Sequence, residues 1–234
     1  MARPLGVAEV ATKVSSLVAS FIIASSLFAA TTKQAEELRQ LAEQGDIQAQ
    51  VKLARMYEAG QGVPKDFNEA LKWYREAGDH GNALAQGTLG WFYQYGQGVE
   101  TNFPAAISWY QKAAEQGHAM SQLNLAVMYD DGIGVATNKE EAVKWYRLAA
   151  DQGEPRAQLD LAVMYWRGEG VTQDYKQAWD LFNRVRVTSP DKAAQWKARA
   201  ALDKMVEELG VDQRRLGRMN YPAWEVVQKY ITKK

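Results

Sequence analysis

Gly-x-Gly-Val begins at Gly60, Gly96, Gly132 and Gly168, each 36 residues after the last and without an insertion. A fixed period of that length restricts the chain to a stack of similar units. One unit is too short to bury an apolar face alone and has only its copies to bury it against. The rest of the unit repeats in step. Gln50, Gln86, Gln122 and Gln158 form one column, and Leu53, Leu89, Leu125 and Leu161 another. Tyr57, Tyr93, Tyr129 and Tyr165 form a third, and Ala70, Ala106, Ala142 and Ala178 a fourth. Trp-Tyr pairs recur at Trp73, Trp109 and Trp145 until Leu181-Phe182 takes their place.

Each unit reads as two helices. In the first unit the segment Asp46 to Ala59 carries Ala49, Leu53, Met56 and Tyr57 at helical spacing. Gly60 closes that helix, because a residue without Cβ adopts the left-handed conformation freely. Gly62 is expected where a second backbone comes close. The second helices start at Asp66, Asn102, Asn138 and Asp174, all side chains suited to an N-cap. Glu69, Glu141 and Gln177, three residues further on, predict capping boxes. Gly81, Gly117 and Gly153 end the second helices. A phosphate-binding glycine loop has to follow a strand and open a helix. These glycines follow a helix, and no Lys-Ser/Thr pair comes after them, so they read as turns of an all-α solenoid.

The remaining composition narrows the chemistry. The chain has no cysteine and only two histidines, His80 and His118. Disulfides, thiolate metal sites and cysteine nucleophiles are thereby excluded. Net charge is zero, which leaves the whole chain without a nucleic-acid footprint. The charge is uneven: residues 31–183 carry 14 basic and 21 acidic side chains, and residues 184–234 carry 12 and 6. Residues 14–30, VSSLVASFIIASSLFAA, are uncharged and apolar and follow Arg3 and Lys13. That pattern predicts a secretory signal cut near Ala29 or Ala30, with a membrane anchor over 14–30 as the alternative. No later segment is apolar enough to span a bilayer.

AQVKLARMYEAGQGVPKDFNEALKWYREAGDHG and its three later counterparts resemble the Sel1-like repeat proteins, relatives of the tetratricopeptide repeats. The shared pattern is A-Q-x-x-L-x-x-x-Y, then G-x-G-V, then a second helix with A-x-x-W-Y-x-x-A and a closing glycine. The resemblance implies a right-handed solenoid of stacked antiparallel helix pairs. On this reading residues 1–30 are the signal or anchor and 31–45 a capping helix. The repeats are 46–81, 82–117, 118–153 and 154–185, and residues 186–234 hold capping helices and a basic tail. Residues 193–205 look like a degenerate first helix. A last helix is expected near Pro222, with Trp224, Val227, Tyr230 and Ile231 on one face.

Columns that repeat at every period serve the common architecture. The tryptophans Trp73, Trp109 and Trp145 are therefore expected in the core, and the Gln50 column is expected to bond a neighbouring backbone. Ala54, Gly90, Ala126 and Ala162 mark close helix crossings. Function belongs where the repeats differ. One face of the first helices carries Gln48, Lys52, Arg55 and Ala59, then Leu84, Thr88, Trp91 and Tyr95. It continues as Met120, Asn124, Val127 and Asp131, then Arg156, Asp160, Val163 and Arg167, with Trp166 alongside. By resemblance this face lines the concave surface. Arg55, Trp91, Tyr95, Asp131, Trp166 and Arg167 are its binding-type residues. Arg55 is expected beside Trp91.

No catalytic arrangement emerges: Asp130-Asp131 and Glu140-Glu141 read as a turn and a helix's first turn, and no cofactor or metal motif is present. The expectation is a non-enzymatic scaffold or adaptor of the cell envelope or extracellular space that binds a protein or peptide. The alternative is a binder of peptidoglycan or polysaccharide fragments through its groove aromatics.

Overall fold

The structure is a computed structural model that describes residues 30–211 and 224–229. The apolar segment expected to be a signal or anchor, and the expected places of Tyr230 and Ile231, lie outside the described residues apart from Ala30. The chain divides into two compact units, one up to Glu100 and one from Thr101 onward.

In the first unit α1 (30–43), α2 (Ile47–Ala59), α3 (Phe67–Asp79) and α4 (Ala83–Tyr95) follow one another. In the second unit the order is α5 (Phe103–Glu115), α6 (Ala119–Asp131), α7 (Lys139–Asp151), α8 (Pro155–Arg167), α9 (Tyr175–Thr188) and α10 (Lys192–Glu208). A short helix, α11 (Trp224–Gln228), packs on α9. Consecutive helices pack within each unit: α2 on α3 and α3 on α4, then each neighbour in turn from α5 to α10. The described residues are all-helical, in the paired arrangement the sequence predicts.

The Gly-x-Gly pair does two different jobs. Gly60 and its equivalents are left-handed with φ near 70° and end the first helices, each N–H bonding back to the helix. Gly62 and its equivalents are also left-handed, and they meet a second backbone. A Cβ on Gly98 would lie 2.8 Å from Phe67, the first residue of α3. A Cβ on Gly134 would overlap Phe103 at the start of α5, and one on Gly170 would overlap the Lys139 carbonyl at the start of α7. The turn thus seats the preceding repeat's second helix against the end of the next first helix.

The second helices are capped as predicted by Asp66, Asn102, Asn138 and Asp174, each accepting from a backbone N–H in the first turn. The capping boxes are half made. The N-cap backbone N–H of Asp66, Asn138 and Asp174 goes instead to the carbonyl of Tyr57, Tyr129 and Tyr165, at 2.8–2.9 Å. That bond closes the loop onto the first helix and leaves Glu69, Glu141 and Gln177 no donor to accept from at the cap. Glu141 takes a lysine, Lys144, at 2.7 Å.

The glutamine column behaves as the repeat logic requires. Gln50, Gln86, Gln122 and Gln158 are buried. Each side-chain N–H donates to a carbonyl eight residues back: Ala42, Gly78, Ala114 and Ala150, at 2.8–3.1 Å. A buried amide needs such a partner, and each bond ties one helix's open C-terminal carbonyl to the next helix. Ala54, Gly90, Ala126 and Ala162 are buried, as close crossings demand.

The tryptophan column differs from expectation. Trp73 is buried, but Trp109 and Trp145 are half-exposed. The tyrosines beside them, Tyr74, Tyr110 and Tyr146, are the fully buried members. Successive residues on a helix point about 100° apart, so only one of the pair faces the neighbouring helix squarely. The other lies along the rim, where Lys112 Nζ sits 4.1 Å from the Trp109 ring centre. The second unit closes on a different aromatic, Trp179, which is fully buried and meets Trp224 of α11 at 5.9 Å between ring centres. Of the face expected for the last helix, Trp224 and Val227 are buried.

Candidate functional site

In each repeat the candidate positions lie on one side of the first helix, where the common architecture leaves side chains free to vary. On α2, Gln48, Lys52, Arg55 and Ala59 are all exposed. On α4, Leu84 and Thr88 are half-buried, the Thr88 hydroxyl donating to the Leu84 carbonyl at 2.9 Å. Trp91 and Tyr95 then stand out, 38% and 57% exposed. They lie one turn apart, and their rings meet with centroids 5.4 Å apart and planes tilted by 44°. Trp91 also meets the buried Phe92 edge-on at 5.7 Å. The pair therefore forms a small aromatic shelf anchored on the core through Phe92, which the edges of Phe67 and Tyr74 pack against.

Arg55 is exposed on α2. Its charge works on the Tyr74 hydroxyl, which donates to Glu58 at 2.8 Å. Burial first, and then Glu58, push the Tyr74 pKa far up, while Arg55 pulls it back part of the way. Arg55 thus serves the α2–α3 pair.

In the second unit Asp131 and Arg167 are exposed at the ends of α6 and α8. Arg167 pairs with Glu169 at 3.6 Å, and Glu169 also reaches Lys139 at 3.8 Å. Trp166 is a correction. It is 7% exposed and packs edge-on against Phe182 of α9, with ring centres 6.2 Å apart. One residue from Arg167 along a helix turns the side chain by about 100°, from the varying face into the core. Asp130 and Asp131 form the last turn of α6 rather than a loop, where the helix dipole disfavours acids. Asp130 is compensated by Lys139 at 2.5 Å and by the Tyr146 hydroxyl at 3.3 Å.

Asp160, on the same face of α8, is the most perturbed carboxylate described. Burial pushes it up to about 6, Asp130 and Asp131 add to the rise, and Arg156 and Lys197 oppose it. Among the described residues no cluster of three or more His, Asp or Glu side chains is arranged to hold a metal ion.

Two features escaped the sequence reading. Arg39, Arg75 and Arg147 each donate to the tyrosine hydroxyl eighteen residues on, Tyr57, Tyr93 and Tyr165. The signal was available, since these arginines occupy one column of the period, interrupted only by Gln111. The other is Trp196 on α10, 71% exposed, which stands outside the repeats and has no column to mark it.

The Sel1 repeat pattern matches residues 47–82, 83–118, 119–154 and 155–184. The chain belongs to the Sel1 repeat family. Solved structures carry the same likeness. The Escherichia coli protein c5321, a protective antigen present in uropathogenic strains and displaying an SLR fold, is 38% identical with a TM-score of 0.69. The likeness covers 74% of this chain and 37% of that one, so this chain spans little more than a third of its neighbour's length. A Sel1 repeat protein from Oxalobacter formigenes is 33% identical with a TM-score of 0.62, over 70% of this chain and 72% of that one. No curated protein matches the chain. Repeat folds of this family are in general scaffolds for protein interaction.

Proposed function

We propose that this Sel1 repeat chain is an exported adaptor that takes a protein or peptide segment on the varying face of the first helices of its first unit, with Trp91 and Tyr95 of α4 as the apolar anchor. The observation that carries this reading is the aromatic shelf. Phe92, Tyr74 and Tyr110 are spent on packing, whereas Trp91 and Tyr95 expose their rings side by side. Rigid, half-exposed aromatics held from below are the usual centre of a binding hot spot.

Export is supported by the apolar segment at residues 14–30. The protective-antigen role of the Escherichia coli neighbour is consistent with a place reached by host antibodies. A mature N-terminus at Thr31, or within two residues of Ala29, is the expected product. Intact Met1 in a membrane fraction would mean an anchor, and intact Met1 in soluble cytosol would overturn export.

The central test is Trp91→Ala. It is expected to weaken capture of the partner by at least ~2 kcal/mol while leaving the thermal midpoint of the free protein nearly unchanged. Partners are captured from envelope extract with and without muramidase digestion. Capture that needs intact glycan would replace the peptide reading with a saccharide stacked on the same two rings. Capture unaffected by Trp91→Ala would remove the shelf from the function.

A further inference from the structure

A second site lies away from the varying face, at the junction of α1, α2 and α3. An open cavity of about 270 Å³ is lined there by Gly45, Gln50, Trp73, Glu43, Lys72 and Glu76. Two of its walls carry a buried polar atom with no hydrogen-bond partner in the protein. Gln50 Oε1 is an acceptor on a residue 1% exposed, and Trp73 Nε1 is a donor on a residue 8% exposed. A buried polar group left unpaired is costly, so two of them on residues that line one cavity call for an explanation.

Repeat three shows what the architecture puts in this place. Gln122 is the equivalent of Gln50, and its Oε1 accepts from the side-chain N–H₂ of Gln152 at 2.7 Å. The same N–H₂ donates to the carbonyl of Gly117, the equivalent of Gly45, at 3.0 Å. The occupant there is a carboxamide belonging to the chain itself. In repeat one the residue equivalent to Gln152 is His80. Its ring turns back onto its own helix, Nδ1 lying 2.8 Å from the Glu76 carbonyl. The Gln50 acceptor therefore lacks the group that its counterpart has, and the cavity opens where that group would lie.

We infer that the cavity between α1 and α3 is a binding site for a primary carboxamide: an asparagine or glutamine side chain of a partner segment. The N–H₂ would donate to Gln50 Oε1 and the Gly45 carbonyl, as Gln152 does in repeat three. The amide oxygen would accept from Trp73 Nε1. The pattern rejects a carboxylate, which has nothing to donate to Gln50, and a guanidinium, which has nothing to accept from the indole. The volume is several times the roughly 30 Å³ of a water, enough for the amide and the carbons that bear it. The charged ends of Glu43, Lys72 and Glu76 are exposed around the opening and supply a polar rim.

The test reads the Trp73 indole N–H resonance in the full-length, nitrogen-labelled protein, assigned by its loss in Trp73→Phe. Acetamide is titrated against acetate and against guanidinium chloride. Two blocked tripeptides are compared, alike except for a central Gln or Glu. Acetamide is expected to shift the resonance saturably, and acetate and guanidinium are not. The Gln peptide is expected to bind and the Glu peptide to bind at least about tenfold more weakly, the loss expected for one buried hydrogen bond. His80→Gln should supply the repeat's own amide, abolish the acetamide shift and raise the thermal midpoint. A Gln peptide tighter than acetamide identifies a partner's side chain as the ligand. Equal affinity would overturn that source and leave a small free amide. No saturable shift, an equal shift with acetate or guanidinium, or an unchanged shift in His80→Gln would overturn the site. The readout does not involve Trp91, so this site and the aromatic shelf stand or fall separately.

Discussion

Asp160 shows how a single position on a helix face acquires its own chemistry. The equivalent residues in the other repeats are Lys52, Thr88 and Asn124, none of them an acid. On α8 the carboxylate is half-buried, and desolvation outweighs the help of Arg156 and Lys197. Its folded pKa, about 6, lies above the ordinary value of 3.8, so the folded state holds the proton more tightly than the unfolded state does. Protein stability therefore falls as pH rises from about 4 through about 6, and the cost is fully present at pH 7. Asp160→Asn removes that cost. The variant should match wild type near pH 4 and exceed it at pH 7 by no more than about 3 kcal/mol. Denaturant midpoints of both proteins across that range check it. A difference that does not vary with pH would mean that Asp160 titrates normally.

Helix ends decide the element scale. Each second helix is fixed by an N-cap side chain, and α3, α7 and α9 also by an N-cap amide bonded to a tyrosine carbonyl, while the glycine turn packs on the preceding second helix. Gly134 and Gly153 separate two reasons for a glycine. Both have positive φ, 71° and 87°, but a Cβ on Gly153 meets nothing within 4 Å, while one on Gly134 overlaps Phe103. Gly153→Ala should therefore cost only the backbone term, roughly 1–2 kcal/mol. Gly134→Ala should cost more than twice as much, because the α5 end has to move as well. Thermal or chemical denaturation of the two variants side by side gives the comparison. Equal losses would show that the turn is loose and the close approach unimportant.

At the scale of the molecule, a repeat array has a stability that sums units and the interfaces between neighbours. Trp179 sits at the heart of the last such interface, buried between α9 and the closing helix α11. Trp179→Ala should cost about 3–5 kcal/mol there and little elsewhere. Hydrogen exchange should quicken first in α8 to α10, with α2 to α4 protected as in wild type. Uniform quickening along the chain would instead mark one cooperative unit. The aromatic shelf, by contrast, should be replaceable without any such loss, because neither of its rings closes an interface.

The period of 36, the glycine turns, the N-caps, the glutamine column and the helix pairing were legible in the sequence. Each is a local or strictly repeated constraint, and repetition within one chain reveals it without any other protein. Other features needed the tertiary structure. Which member of each Trp-Tyr pair is buried depends on the angle at which two helices meet, and the spacing of residues along one helix does not contain it. Trp166 reads as part of the exposed face from its neighbour Arg167, yet α9 takes it into the core. The capping boxes fail because a tyrosine carbonyl from the previous helix reaches the N-cap amide first. The open amide site in repeat one has a sequence trace, His80 in a column that holds Gln116 and Gln152. Only the structure shows a buried acceptor and a buried donor left unpaired on residues that line the same cavity, because unpaired hydrogen-bonding groups are a property of three-dimensional neighbours.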